Sequence, residues 1–200
     1  MPRGLHFAEQ ASLVGAWFGG ALIILAAFVI GFDVALRKLV NLSLGGADEL
    51  SGYALAIGTT WSLGFALVHR AHIRIDSLYV RFPAVLRAVL DIAGLAGFVA
   101  IFGLVAWYGW DLAASSAAMG AQSLSRLSTP LAVPQFLWLA GLALFLAVSA
   151  TLLLNAALAL LTGDLAAVQR IAGSRSVREE LADELPDDQI PNGRQPETRP

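Results

Sequence analysis

Four long runs of apolar residues, separated by short polar or charged stretches, follow one another along the first 162 residues. The most sharply bounded run begins after Asp48 and Glu49 and holds nineteen uncharged residues before His69. A helix rises about 1.5 Å per residue, so a run of that length crosses most of a hydrocarbon core of about 30 Å. The pattern predicts an all-α membrane protein with four transmembrane helices.

Charged and aromatic residues mark the ends of these runs, because hydrocarbon excludes charge and the headgroup region favours Trp and Tyr. We expect an N-terminal lead at residues 1–11 and one transmembrane domain at residues 12–162. The first run is longer than the core of a secretory signal and continues into charged residues, so it is interpreted as an uncleaved span. The predicted spans are residues 12–33, 49–69, 88–110 and 136–162.

The last segment, residues 163–200, differs in composition from everything before it. It is rich in charge, proline and polar residues, and such a segment cannot bury enough apolar surface to form a core. We therefore expect a charged, largely disordered tail. Its acidic cluster could dock a partner, but a solvated tail is the simpler interpretation.

The overall composition agrees with the run pattern. Of the 200 residues, 57% are hydrophobic and 14% are charged, and the mean hydropathy is +0.68, whereas about 25% of residues are charged in ordinary soluble proteins. The absence of cysteine excludes disulfides, thiolate metal sites and iron–sulfur clusters. The sequence predicts an integral membrane protein without a cofactor.

Basic residues predict the orientation. With four spans both termini share one side, and that side collects eight basic residues near the membrane, against Arg37, Lys38 and Arg126 on the other. The positive-inside rule then places the N- and C-termini in the cytoplasm.

The spans contain little that could carry a proton, an ion or an electron, since their interiors lack Asp, Glu, Lys, Arg and His. Asn155 is the one amide among their polar residues, and an interhelical hydrogen bond is its favoured use. Gly58 and Ser62 belong to a stripe of small residues at helical spacing, which is typical of close helix packing. These features indicate a packed scaffold and no enzyme activity.

The two histidines after the second run raise a separate question. His69 and His72 lie three residues apart, with Asp76 four residues further on, and this spacing could offer metal ligands on one helical face. No third strong ligand completes the site. We interpret this segment as interfacial charge and predict no metal site.

Several short motifs occur in a fixed order along the spans. Asp33-Val34 with Arg37 follows the first span, Asp48-Glu49-Leu50 opens the second, and His72-Ile73-Arg74-Ile75-Asp76 closes it. Thr129-Pro130-Leu131-Ala132-Val133-Pro134 precedes the fourth. In these motifs residues 12–162 resemble the small membrane subunit of TRAP (tripartite ATP-independent periplasmic) transporters. One departure is that Gly46-Ala47 precede the acidic pair, where family members often place a Trp.

The resemblance implies a function in transport. Such a subunit pairs with a large multi-span membrane subunit that carries substrate and sodium, and an extracytoplasmic solute-binding protein delivers a carboxylate-bearing solute. It implies a scaffold subunit in a bacterial inner membrane, with contacts to the partner proteins at Glu49, His72, Arg74 and Asp76. Two other functions remain open from the residues alone: a membrane anchor for a quinone-linked redox enzyme, and a small self-sufficient transporter.

Overall fold

The computed structural model describes residues 3–69 and 81–173. Within these ranges the fold is all-helical and contains no β-strand, and an isolated bridge pairs Gln122 with Pro130. Four helices are long and apolar enough to cross a membrane, which confirms the predicted class and number of spans. The described helices are α1 (Arg3–Val40), α2 (Ala47–Val68), α3 (Ala84–Met119), α4 (Ala132–Leu161) and α5 (Leu165–Ala172).

Local sequence explains where the helices begin and end. Helix α3 starts after Pro83, whose fixed φ suits the entry to a helix, and it ends at Gly120 with a left-handed φ of 59°. The short helix α5 starts at Asp164, whose side chain accepts a hydrogen bond from the amide of Ala167 at 2.9 Å. Helices α1 and α3 both extend past the charged residue that closes their apolar run.

Helix α4 is the centre of the bundle. It packs against α1, α2, α3 and α5, whereas α3 packs mainly on α4 and α5. Leu142, Phe145 and Val148 of α4 are buried almost completely, and the core they form continues to Leu67 of α2 and Leu95 of α3. The chain therefore forms two helical hairpins, α1 with α2 and α3 with α4, which meet along α2 and α4.

The two ends of the bundle differ. We call the end that carries the α1–α2 turn (residues 41–46) and the α3–α4 loop (residues 120–131) the loop end. The other, the terminal end, carries the start of α1 and the short helix α5. Helix α5 buries Val168 and Ala172 against α3 and α4, so the chain folds back under the bundle after the fourth long helix.

Candidate functional site

Asp33 organises the α1–α2 turn at the loop end. It lies near the end of α1 and is 2% exposed, although hydrocarbon and protein interiors both penalise an isolated carboxylate. One oxygen accepts hydrogen bonds from the amide of Leu44 at 2.6 Å and the hydroxyl of Ser43 at 3.1 Å, and the other pairs with Arg37. The pairing with Arg37, one helical turn later, follows from the sequence spacing. The sequence spacing did not predict the hydrogen bonds from Ser43 and Leu44.

Glu49 connects the two hairpins at the same end. Its Oε1 accepts a hydrogen bond from the Tyr53 hydroxyl at 2.7 Å, and its Oε2 accepts one from the hydroxyl of Ser125 in the α3–α4 loop. Ser125 also accepts a bond from the amide of Leu127 at 3.1 Å, and this shapes the loop around the carboxylate. The sequence marked Glu49 as a partner contact but did not indicate Ser125. A serine-rich loop facing an acidic helix start was the available signal.

The two segments at the loop end also touch through glycine. Gly45 has a left-handed φ of 71°, and a Cβ there would lie 2.9 Å from Cδ of Arg126. A Cβ on Gly46 would overlap the side chain of Leu127. Gly46 therefore lets the α3–α4 loop close over the start of α2. This gives a physical reason for the absence of a side chain at Gly46, two residues before Asp48.

The other three predicted partner contacts, His72, Arg74 and Asp76, lie outside the described residues. Of the predicted set, the structure therefore places Glu49. Its carboxylate is used within the chain, where it holds the α3–α4 loop on α2. Among residues 3–69 and 81–173, no group of three or more His, Cys, Asp or Glu side chains could hold a metal ion.

Small residues bring α1 and α2 into backbone contact. A Cβ on Gly58 would lie 2.8 Å from the carbonyl oxygen of Gly19, and a Cβ on Gly19 would lie 2.5 Å from the hydroxyl of Ser62. The Ser62 hydroxyl donates to the carbonyl of Gly58 at 2.8 Å, which satisfies it inside its own helix. Gly15 lies on the same side of α1, where the carbonyl of Trp61 occupies the space of a side chain.

A tryptophan that the sequence did not single out joins α2 to α4. The Trp61 indole donates a hydrogen bond to the carbonyl of Leu137 at 2.9 Å. Its ring lies over Gly141, where a Cβ would come within 2.5 Å of Cδ1. Asn155 was expected to make a hydrogen bond to another helix. Its Nδ2 instead donates to the carbonyl of Thr151 in the same helix at 2.7 Å. The inter-hairpin contact therefore depends on an aromatic donor and a glycine.

Comparison with known proteins gives the family. The family model described as tripartite ATP-independent periplasmic transporters, DctQ component, matches residues 15–160. That is well over half of the chain. The chain belongs to the DctQ family. No curated protein and no solved structure matches it.

The DctQ match covers the two hairpins and both connections at the loop end, including Asp33, Glu49 and Ser125. The resemblance stated from the short motifs is thereby confirmed. DctQ is a family of transporter components rather than of enzymes, and four membrane-spanning helices fit a multi-pass membrane protein.

Proposed function

We propose that this chain is the small scaffold subunit of a TRAP-type secondary transporter in a bacterial inner membrane. It pairs with a large multi-span subunit, and the two import a carboxylate-bearing solute that a solute-binding protein delivers. The observation that carries this proposal is membership of the DctQ family over residues 15–160. A quinone-linked anchor and a self-sufficient transporter have no observation in their favour.

The chemistry of the long helices supports a scaffold rather than a solute path. Helix α4, at the centre of the bundle, has no formally charged residue from Ala132 to Leu161. Its hydroxyls on Ser149 and Thr151 bond to carbonyls of their own helix, as does the amide of Asn155. These donors are used within their own helix, so they are not free to bind a carboxylate. The large subunit then supplies the binding site for the solute and for sodium.

Contacts to the partner proteins are expected at the charged positions. His72, Arg74 and Asp76 follow α2 toward the cytoplasm, where they would meet the large subunit. At the opposite, loop end Glu49 acts indirectly, by holding the α3–α4 loop in the shape that a partner contacts. Truncating one member of a desolvated charge pair at an interface weakens association strongly, whereas a water-exposed pair contributes little.

Uptake measured with the reconstituted transporter tests the proposal. The large subunit and the binding protein are combined with wild type, Asp76→Ala, Glu49→Ala and Asn155→Ala. Asp48→Ala is the matched control, since this neighbouring acid is exposed. We expect Asp76→Ala and Glu49→Ala to lower co-purification of the large subunit and the maximal rate together, with the order of preference among carboxylates unchanged. A variant that co-purifies fully and reverses that preference would place part of the solute path in this chain.

A further inference from the structure

Each long helix carries one uncharged band, defined as its run of residues without Asp, Glu, His, Lys or Arg. These bands limit how each helix can lie in hydrocarbon, because charged side chains are expensive near the bilayer centre. They lie at residues 10–32, 50–68, 92–110 and 127–163, and their midpoints are Ala21, Thr59, Ile101 and Phe145.

Within each hairpin the two midpoints lie within about 5 Å of the same level, counted along the helices. Gly19 and Gly58, which are in backbone contact, lie two residues and one residue from the midpoints of α1 and α2, so these midpoints differ by about 4.5 Å, with Ala21 nearer the loop end. In the second hairpin the ring of Phe102 lies 4.8 Å from that of Phe145, centroid to centroid. Each hairpin alone could therefore place its uncharged bands symmetrically across a bilayer.

Between the hairpins the levels differ. A Cβ on Gly141 of α4 would lie 2.6 Å from Oγ1 of Thr60, so Thr59, one residue nearer the loop end, is level with Ala140. Phe145 lies five residues from Ala140 toward the terminal end, an offset of about 8 Å at 1.5 Å per residue. A Cβ on Gly64 would lie 3.5 Å from Cγ2 of Val148, and the same count from this contact gives an offset of about 3 Å.

The contact between α1 and α4 gives the corresponding offset for the midpoint of α1. A Cβ on Gly15 would lie 3.0 Å from Cδ2 of Leu144. Ala21 lies six residues from Gly15 toward the loop end, and Phe145 lies one residue from Leu144 toward the terminal end. The two midpoints are therefore seven residues apart along the helices, which is about 10 Å at 1.5 Å per residue.

We propose that the bilayer midplane crosses the bundle obliquely and passes near Ala21 of α1, Thr59 of α2, Phe145 of α4 and Ile101 of α3. The lipid-contacting surface of the subunit is then staggered between its two hairpins. With neighbouring helices about 8–10 Å apart, offsets of about 3–10 Å incline the bundle in a flat bilayer by roughly 20–50°. All but the lower end of this range exceeds the average tilt of about 20° for membrane helices.

A midplane perpendicular to the helices at Ile101 conflicts with the exposed face of α1. That plane would meet α1 near Val14. Phe28 and Phe32, 73% and 59% exposed, would then lie about 20–27 Å from the midplane at 1.5 Å per residue, beyond a hydrocarbon half-thickness of about 15 Å. Both rings would face water instead of lipid, which the hydrophobic effect opposes.

A perpendicular midplane at Ala21 conflicts with α3 instead. The plane would meet α3 near Gly109, which lies against Trp138 of α4. Trp107, Trp110 and the exposed Asp111 would then lie close to the bilayer centre. Trp and Tyr favour the interface, and a charge at the centre is costly. With the oblique plane, these residues lie about 9–15 Å from the midplane as counted along α3, toward the hydrocarbon edge.

Depth measurements with spin labels test the oblique midplane. The chain has no cysteine, so single-cysteine variants of the full-length protein can be labelled directly. Val14→Cys and Ala21→Cys lie on one exposed face of α1, and Ile101→Cys and Tyr108→Cys lie on one exposed face of α3. In each pair the two positions are seven residues apart, so each serves as the matched control for the other. The labelled chains are reconstituted in phosphatidylethanolamine–phosphatidylglycerol vesicles, and collision rates with oxygen and with a water-soluble nickel chelate are compared.

We expect the oxygen-to-nickel collision ratio to be highest at Ala21→Cys in α1 and at Ile101→Cys in α3. A maximum at Val14→Cys with Ile101→Cys, or at Ala21→Cys with Tyr108→Cys, would mean a perpendicular midplane and overturn the proposal. The remaining pairing, Val14→Cys with Tyr108→Cys, would overturn it as well. All four side chains are exposed, so labelling leaves the packed core intact. The outcome is independent of transport activity.

Discussion

Single residues decide how closely the first two helices approach. Gly58 faces the backbone of Gly19 and the side chain of Ile23, and a Cβ there would lie 2.8 Å and 3.0 Å from their nearest atoms. A backbone neighbour cannot move aside as a flexible side chain can. Gly52, on the same helix, has no atom within 4 Å of such a Cβ. A side chain therefore fits at Gly52 but not at Gly58 without separating α1 from α2.

Replacing Gly58 with Leu should separate α1 from α2. Overpacking of this kind costs about 1–3 kcal/mol, and the backbone contact puts Gly58→Leu at the upper end of that range or beyond it. Gly52→Leu is the control, and since Leu favours a helix over Gly by up to about 1 kcal/mol, it should be neutral or stabilising. Unfolding of both variants by SDS titration in mixed micelles measures the difference. Equal, mild effects would mean that the α1–α2 contact tolerates a side chain at both sites.

Among the elements, α2 and α4 form the junction between the two hairpins. The indole of Trp61 donates a hydrogen bond to the carbonyl of Leu137. Its ring packs against Gly141, which has no side chain in the way. At the loop end, Glu49 accepts the hydroxyl of Ser125 and adds a second link. Hydrogen bonds therefore join the hairpins both within the membrane-spanning helices and at their connections.

Trp61→Phe keeps an aromatic ring over Gly141 and removes the indole donor. Interhelical hydrogen bonds in membranes contribute about 0.6–2 kcal/mol, so we expect a loss of this size in the free energy of unfolding. Trp17→Phe is the matched control, because Trp17 is 76% exposed. Its effect should be close to zero in the same SDS titration. A loss for Trp17→Phe as large as for Trp61→Phe would mean that the indole bond is not the cause.

For the whole molecule, the placement of basic residues determines the expected orientation. Eight basic residues near the membrane belong to the side of the termini, against three at the loop end. Within the fold, Arg37 of the loop end pairs with Asp33, which offsets its charge. The positive-inside rule therefore predicts that the loop end lies outside the cytoplasm.

Reporter fusions check this orientation. Fusions after Phe82 and after Gly173 should report a cytoplasmic location, and fusions after Ser43 and after Gln122 should report the outside. The physical reason is the excess of Arg near the terminal end, which resists translocation. Alkaline phosphatase and green fluorescent protein at the same four sites give complementary signals. An external signal at Phe82 would contradict the predicted topology.

Much of the fold was predictable from the sequence, because it depends on local composition. Runs such as the nineteen uncharged residues after Glu49 require a backbone satisfied by its own hydrogen bonds, and in hydrocarbon this means a helix. The number of spans, the membrane class and the resemblance to the TRAP small subunit followed from such runs and from short motifs. The ion pair of Asp33 with Arg37 followed from spacing on one helix.

The tertiary structure decided what depends on residues far apart in the chain. Ser125 contacts Glu49, and Trp61 contacts Leu137, each across 76 positions, and no local pattern marks either pair. The stagger between the hairpins has the same origin. Each uncharged band is a property of its own run. The alignment of two bands along the helix axes depends on which glycine leaves space for which neighbouring side chain, as Gly141 leaves space for Trp61. Sequence alone determined the number of spans, and close packing determined how they are aligned with one another.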